Sequence, residues 1–391
     1  MVRRCTILHH HWELYFVVES TPEKVITRMN LFLHTPNSES DLADHYHRAF
    51  NKATELFLVT AYLTEWDVTL TLNPNCRRFR IIVGKDFGIT RKAACEAVMR
   101  WLPAKRKGQF MVADLIAGFH PKAMFWKEPN DLCFAIIGSS NLTRAAFETN
   151  YEANVFSEIS LHEYSAAKKW IRNIEKQAIS MSEDWLSQYK EAAQSKNGGR
   201  KKSVNPPAGT PLVMLKLPRP AGTKKQIANR RIQLAAYRNH RDGLISLFRR
   251  CAAGDIDSSE FYAQLPDHWN YENGDRLQGA GWERKGRDSD FRELSRAYLK
   301  ILNAADEERD DVVEEEIDRL KQKRIATRKA LLSELLCLEY PEEYPVLNKP
   351  VQNYLVSVKF RAPRGASEGA RYIDLDRKLR FSLLQNPGQG L

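Results

Sequence analysis

His120 and Lys122 stand two residues apart in "HPKAMFWK", a run that reads as a strand. In a strand, residues i and i+2 project to the same face. The imidazole and the ammonium therefore point together, while Pro121 and Ala123 face the other way. Histidine and lysine are poor core residues unless they serve a purpose there; here they set a titratable ring beside a fixed positive charge. Pro121 lacks a backbone donor, which places the pair at a strand start or an irregularity. After the turn "EPND", the strand "LCFAIIG" ends at Gly138, where the missing side chain permits a tight backbone. Ser139, Ser140 and Asn141 follow with short hydrogen-bonding side chains, and Thr143 is placed to cap the helix "RAAFET". Glu152, in "NYEANV", lies eleven residues beyond Asn141.

The elements that must hold these residues form an α/β pattern. "ELFLVTAYL" and "RFRIIVGK" are short, nearly continuous apolar runs, as in strands buried on both faces. "QFMVADL", "HPKAMFWK", "DLCFAIIG" and "YEANVFSEI" read as further strands. Between them lie the amphipathic helices "DLADHYHRAFNKAT", capped by Ser40, and "TRKAACEAVMRWL", capped by Thr90. One long helix is expected over "HEYSAAKKWIRNIEKQAISMSEDWLSQYKEAA". Strands alternating with helices predict a mixed β-sheet flanked by helices, and the polar ends of such strands are where sites form.

Three segments are expected: an α/β domain over 1–192, a basic Gly/Pro-rich linker over 193–224, and a mainly helical domain over 225–391. In the last, "ERDDVVEEEIDRLKQKRIATRKALLSELLCLE" carries acids early and bases late, as the helix dipole and i,i+4 pairing favour. Trp269, Tyr271 and Trp282 read as core of this helical domain rather than as a base-stacking platform.

Net charge is +11 over 391 residues. Between Asn197 and Arg250 there are thirteen Lys/Arg and one acid, Asp242, so the rest of the chain is close to neutral. A basic band of this kind suits a polyanion, most simply nucleic acid. Arg200, Lys201, Lys202, Arg230 and Arg231 within it, and Lys85 and Arg144 outside it, are candidate phosphate contacts. Six scattered cysteines without a Cys-x-x-Cys argue for reduced thiols and a cytoplasmic setting. No apolar run is long enough to span a membrane, and the N-terminus does not read as a signal peptide. His9, His10 and His11 are adjacent and cannot all face one ion from a strand. No Walker, Rossmann or zinc-finger pattern is present, and no metal or other cofactor is expected.

In His120, Lys122, Gly138, Ser140 and Asn141 the chain resembles the phospholipase D superfamily, over roughly residues 40–190. The wording "IIGSSNLTRAAFETNYEANV" is most similar to its nuclease and restriction-endonuclease-like branch. The family's Asp, five residues after the Lys, is here Lys127. Asp131, on a lengthened turn, and Glu152 are the two substitutes, with Glu152 placed first. The resemblance implies that His120 attacks phosphorus to form a covalent phosphohistidine, which splits one displacement into two. Lys122 and Asn141, with Ser139 or Ser140, would hold the non-bridging oxygens. A second histidine would protonate the leaving oxygen. With a single His-x-Lys, the resemblance implies a homodimer that brings two copies of the motif together.

The function expected is a metal-independent nuclease acting on DNA; a role in defence against foreign DNA follows only from the company such nucleases keep. Two other readings stay open: a non-catalytic nucleic-acid-binding subunit working with a helicase or ATPase, and a lipid phosphodiesterase.

Overall fold

The computed structural model describes residues 9–10, 13–17, 26–36, 42–192, 209–217, 221–270, 274, 276–277 and 280–386. The chain divides into two compact units, Met1–Leu212 and Val213–Leu391. The expected linker falls largely on residues outside the described ones, as does the cap Ser40.

The first unit is built on a ten-stranded sheet. Its strands are β1 (His9–His10), β2 (Glu13–Val17), β3 (Ile26–His34), β4 (Glu55–Thr60), β5 (Arg78–Val83), β6 (Phe110–Val112), β7 (Lys122–Lys127), β8 (Cys133–Gly138), β9 (Glu152–Ile159) and β10 (Ile179–Ser180). They lie in the order β1-β2-β3-β9-β8-β7-β4-β5-β6-β10. The β4–β5 and β5–β6 pairs are parallel and the others antiparallel, so the sheet is mixed, as the alternating pattern predicts. The helices are α1 (Leu42–Lys52), α2 (Lys92–Trp101), α3 (Arg144–Glu148), α4 (Leu161–Glu175) and α5 (Glu183–Gln188).

Alternation along the strands sorts residues between two cores. On one face, Tyr164, Ala167 and Ile171 of α4 pack against Phe57, Phe125, Cys133 and Ala135. On the other, Trp126, Phe134 and Phe156 stack across three strands, and Arg48 of α1 lies 4.4 Å from the Phe134 ring centroid. Each such aromatic or aliphatic side chain, fully buried, contributes about 1.5–3 kcal/mol. Arg80 and Glu175 form a buried ion pair that ties β5 to the end of α4.

Two expectations need correction here. The long helix after β9 is interrupted. Ser160 and Glu163 form a capping box that starts α4. The chain then pairs Ile179 and Ser180 with β6, and Ser182 caps α5. Ala178, Ile179, Met181 and Trp185 are all buried; their strand-like burial in a run of good helix formers is a tertiary decision. Thr90 does not cap α2. It is buried, donates to the Gly84 carbonyl at 2.7 Å, and leaves Arg91 at the cap position without a side-chain bond.

The second unit is helical: α6 (Thr223–Ala253), α7 (Ser258–His268), α8 (Glu283–Gly286), α9 (Phe291–Leu302), α10 (Asp306–Gln322), α11 (Ala330–Glu339), α12 (Lys349–Ser357) and α13 (Glu368–Leu384). Trp269 and Trp282 sit in its core with Phe248, Phe261 and Phe291, while Tyr271 lies outside the described residues. The acid-to-base run expected as one helix is two, α10 and α11. Arg324 adopts a left-handed conformation (φ 60°) between them, and Ile325 is buried just beyond it. Among the described residues, no helix is long and apolar enough to cross a membrane.

Lys85, proposed as a nucleic-acid contact, is instead buried at the end of β5. Its Nζ lies 2.6 Å from both Oδ1 and the carbonyl of Asp114, and it also donates to the Thr210 carbonyl. Asp114 Oδ2 accepts from the Leu212 amide at 2.8 Å. Removing one partner of a buried pair strands the other charge, at about 3–5 kcal/mol. Lys85→Ala is therefore expected to lower the stability of the first unit by about that amount in urea denaturation.

Candidate functional site

The site lies where several strands end along one edge of the sheet. Register sets the partners: Thr60 is opposite Lys122, Gly138 opposite Asn154, and Glu152 opposite His34. Since Ala123 faces Ile137, Gly138 comes beside Lys122 one step further on. Thr60, Lys122, Gly138 and Asn154 thus share a sheet face at the same level.

His120 immediately precedes β7. The loop carrying it is held from below, with the Gly118 amide donating to Asp86 Oδ2 at 2.8 Å and the Lys85–Asp114 pair securing the start of the same loop. The imidazole meets Tyr62 edge-on, with ring centroids 5.7 Å apart. Lys122 Nζ lies 2.9 Å from His120 Nδ1 and 3.4 Å from Nε2. An ammonium has only donors to offer, and an anionic ligand would compete with the ring for that same ammonium.

Gly138 makes the next part possible. A β-carbon there would stand 2.3 Å from Asn154 Oδ1 and 2.4 Å from the Ala153 carbonyl. The bare backbone lets β8 close against β9, and Asn154 then grips the following turn. Its Oδ1 accepts from the Ser140 amide at 3.3 Å, and its Nδ2 donates to Ser140 Oγ at 2.8 Å. Asn141 follows in the gripped turn. Its Oδ1 accepts from the Tyr62 amide at 3.1 Å, with Thr60 Oγ1 at 3.3 Å. That leaves the two Nδ2 donors of Asn141 for a ligand. Thr143 caps α3 by accepting from the Ala146 amide at 3.2 Å, as its position predicts.

Glu152 is fixed by neighbours rather than by burial. Ser139 Oγ donates to its Oε2, and Asn150 Nδ2 donates to Oε1 at 3.0 Å. Partial burial holds the Lys122 ammonium below its usual pKa of 10.5, and the Glu152 carboxylate opposes that shift. The edge therefore gathers an imidazole, an ammonium, an amide and a carboxylate. This set suits binding and attack on an anionic centre.

Among the expected site residues, His120, Lys122, Ser139, Ser140, Asn141 and Glu152 come together at this edge. Ser140 is buried and spent on Asn154, so it supports the turn instead of facing a ligand. Asp131 is not in the site. It ends the turn at the far end of the β7–β8 hairpin, is 65% exposed, and pairs with Lys127 at 2.6 Å. Five strand residues separate that turn from Lys122, about 16 Å of chain. Arg144 opens α3, and its side chain lies outside the described residues, as do Arg200, Lys201 and Lys202. Arg230 is half-buried and donates to Gln233 Oε1 and the Leu277 carbonyl, a structural use within the second unit. Arg231 is exposed on α6.

Asn154, Thr60 and Tyr62 were absent from the expected set. Asn154 had a signal, a polar side chain among the buried positions of "YEANVF". Thr60 and Tyr62 had none, because they close an ordinary apolar strand and gain their role only from contact with Asn141.

The family model described as "Cardiolipin synthase, PLD-like domain" matches residues 46–177. Among solved structures, NucT from Helicobacter pylori is similar at 14% identity, covering 40% of this chain and 99% of that one, with a TM-score of 0.31. Nuc, a phospholipase D family member from Salmonella typhimurium, is similar at 15% identity, covering 40% and 98%, with a TM-score of 0.29. Phosphatidylserine synthase from Haemophilus influenzae is similar at 13% identity over 46% of each chain, with a TM-score of 0.31. No curated protein matches the chain.

Two outcomes follow from the geometry. Gly138→Ala forces an overpacked contact with Asn154 and is expected to destabilise the first unit by about 1–3 kcal/mol, read by thermal or urea denaturation. In an NMR titration, Lys122 should deprotonate below pH 10.5. Glu152→Gln removes the charge that favours the ammonium, so the Lys122 midpoint should move lower still; an upward move would refute the assigned pairing.

Proposed function

We propose, from the premise that residues 46–177 belong to the phospholipase D superfamily, that the protein is a nuclease that cleaves DNA phosphodiesters through a phosphohistidine on His120. The observation that carries this reading is the pairing of His120 and Lys122 on one face of the sheet edge, with Asn141 and Glu152 converging on it.

In the first step, an imidazole nitrogen of His120 attacks phosphorus. The P–N bond forms as the bond to the leaving oxygen breaks. Lys122 turns from the ring to the non-bridging oxygens, where charge grows, and the Asn141 amide donates to the same oxygens. Preorganised donors of this kind contribute several kcal/mol each to barrier lowering, about 2.7–4 in measured cases. Glu152 keeps Lys122 charged for that task and is held in place by Ser139 and Asn150. In the second step, water attacks phosphorus and the P–N bond breaks, which returns His120 to its starting state.

The leaving oxygen needs a proton in the first step, and water must lose one in the second. A single His-x-Lys is present in the chain. The required histidine is then His120 of a second copy, across a two-fold axis that joins the two sites. All charge stabilisation in this scheme comes from side chains, so turnover needs no divalent ion.

DNA as the substrate class is supported by the basic band between Asn197 and Arg250. The purified protein should nick or linearise plasmid DNA in excess EDTA. His120→Ala should lower the rate on the order of 10⁴-fold or more and abolish an alkali-stable, acid-labile phosphoryl adduct on the protein. A strict requirement for magnesium would overturn the mechanism. Release of headgroup from phosphatidylcholine vesicles without DNA cleavage would reassign the substrate to lipid.

A further inference from the structure

Helix α6 carries eight Lys/Arg against one acid, Asp242. Its buried residues Tyr237, Leu244, Phe248 and Cys251 mark the side turned to the core of the second unit. At 3.6 residues per turn, Lys224, Arg231, Arg238 and Arg249 fall on a separate line, about 120° around the helix from that side. All four are exposed, and among the described residues none has an acidic partner. Steps of seven residues space the first three about 10.5 Å apart; with Arg249 the line runs about 37 Å. Asp242, the one acid on the line, is 3.5 Å from Arg241 Nη1, a guanidinium that Glu339 also binds at 2.8 Å, so the line keeps four cations against one acid.

The start of α6 runs against what stability alone would favour. Lys224 and Lys225 occupy the first turn, no acid accompanies them, and Gly222 supplies no side-chain cap. Cations at the positive end of a helix dipole are unfavourable unless an anion joins them. Departures of this kind from local preference concentrate where a protein binds something. Beside the line, between α6 and α9, lies a groove of about 310 Å³. Arg241 and Arg249 line it together with one acid, Asp242, and with Ile245, Leu299, Leu302 and Asn303.

We propose that this face of α6 docks the phosphate backbone of a nucleic acid. It deepens the nuclease reading, on which it rests only for the kind of polyanion, by giving the second unit its own contact with the substrate. A row of exposed cations that carries no aromatic side chain of its own is the footprint of a phosphate backbone. The centre of a protein–protein interface is depleted in charge and enriched in aromatics, which this line lacks.

The test uses full-length His120→Ala protein, so that the probe survives, and a labelled mixed-sequence duplex of about 30 base pairs titrated between about 50 and 200 mM salt. Adding Arg231→Gln, Arg238→Gln and Arg249→Gln should flatten the slope of log K against log salt by about 2.7, or 0.9 per lost phosphate contact. At about 100 mM salt, affinity should fall by at least about tenfold. A control removes the same charge from the exposed residues Lys349, Lys359 and Arg371 of the second unit and should change affinity by less than about twofold. Circular-dichroism melts verify that both triple variants fold. Equal weakening by the two variants, or no effect of the first, overturns the proposal. So does binding of polyglutamate in preference to the duplex, which would indicate an acidic protein partner. If the wild type cleaves nothing yet the α6 variant loses the duplex, the nuclease reading fails and this surface stands. Cleavage with unaltered binding gives the reverse.

Discussion

The close approach of β8 to β9 at Gly138 is the constraint on which the site depends. With no side chain at that point, the Asn154 amide can reach both the backbone and the hydroxyl of Ser140. That grip directs Asn141 onto the end of β4, where it binds the Tyr62 amide. The same closure brings Glu152, at the start of β9, alongside Ser139 and Lys122. Two functional side chains, Asn141 after β8 and Glu152 at the start of β9, are thus positioned by one missing β-carbon. An amide–hydroxyl pair buried beside it is stable only because both partners are satisfied, since an unpaired buried polar group costs about 1–3 kcal/mol.

A second constraint works from the other side of the site. The loop that delivers His120 has little regular structure of its own, so buried polar contacts hold it. Asp86 takes the Gly118 amide, and Lys85 locks Asp114 while also binding the Thr210 carbonyl. Buried ion pairs contribute little net stability relative to apolar replacements, but they specify geometry strongly because misplacing either charge is so costly. Here the geometry specified is the position of the imidazole relative to the ammonium. On the proposed mechanism, that relation decides whether the ring can attack while the lysine holds charge.

Charge is used in two opposite ways. In the first, a buried cation is tied to one specific acid, as with Lys85–Asp114 and Arg80–Glu175. In the second, α6 spreads unpaired cations along a helix. The second makes a field that is strong at low salt and tolerant of sequence, as the proposed docking of a phosphate backbone requires.

Much of this was legible in the sequence. The i, i+2 spacing sets Lys122 close to His120 as a local property of the chain, although β7 begins only at Lys122 and the contact is made by the ammonium reaching the ring. The Gly-Ser-Ser-Asn ending and the Thr143 cap are equally local, and the alternation of strand-like with helical segments, then helices alone, indicates the mixed sheet and the helical second half. What only tertiary structure decided depends on which strands become neighbours. Asp131 and Glu152 were both candidates for the site carboxylate by spacing. The hairpin register sends Asp131 about 16 Å away along the strand, while the β8–β9 pairing draws Glu152 in. Lys85 reads as a surface cation until Asp114 is found beside it. Ile179–Ser180 reads as helix until β6 offers an edge to pair with. Thr60 and Tyr62 owe their roles entirely to Asn141, about eighty residues further along the chain. A sequence states each residue's chemistry and its local direction; which other residue it meets is set by pairing between distant segments, and no local pattern encodes that.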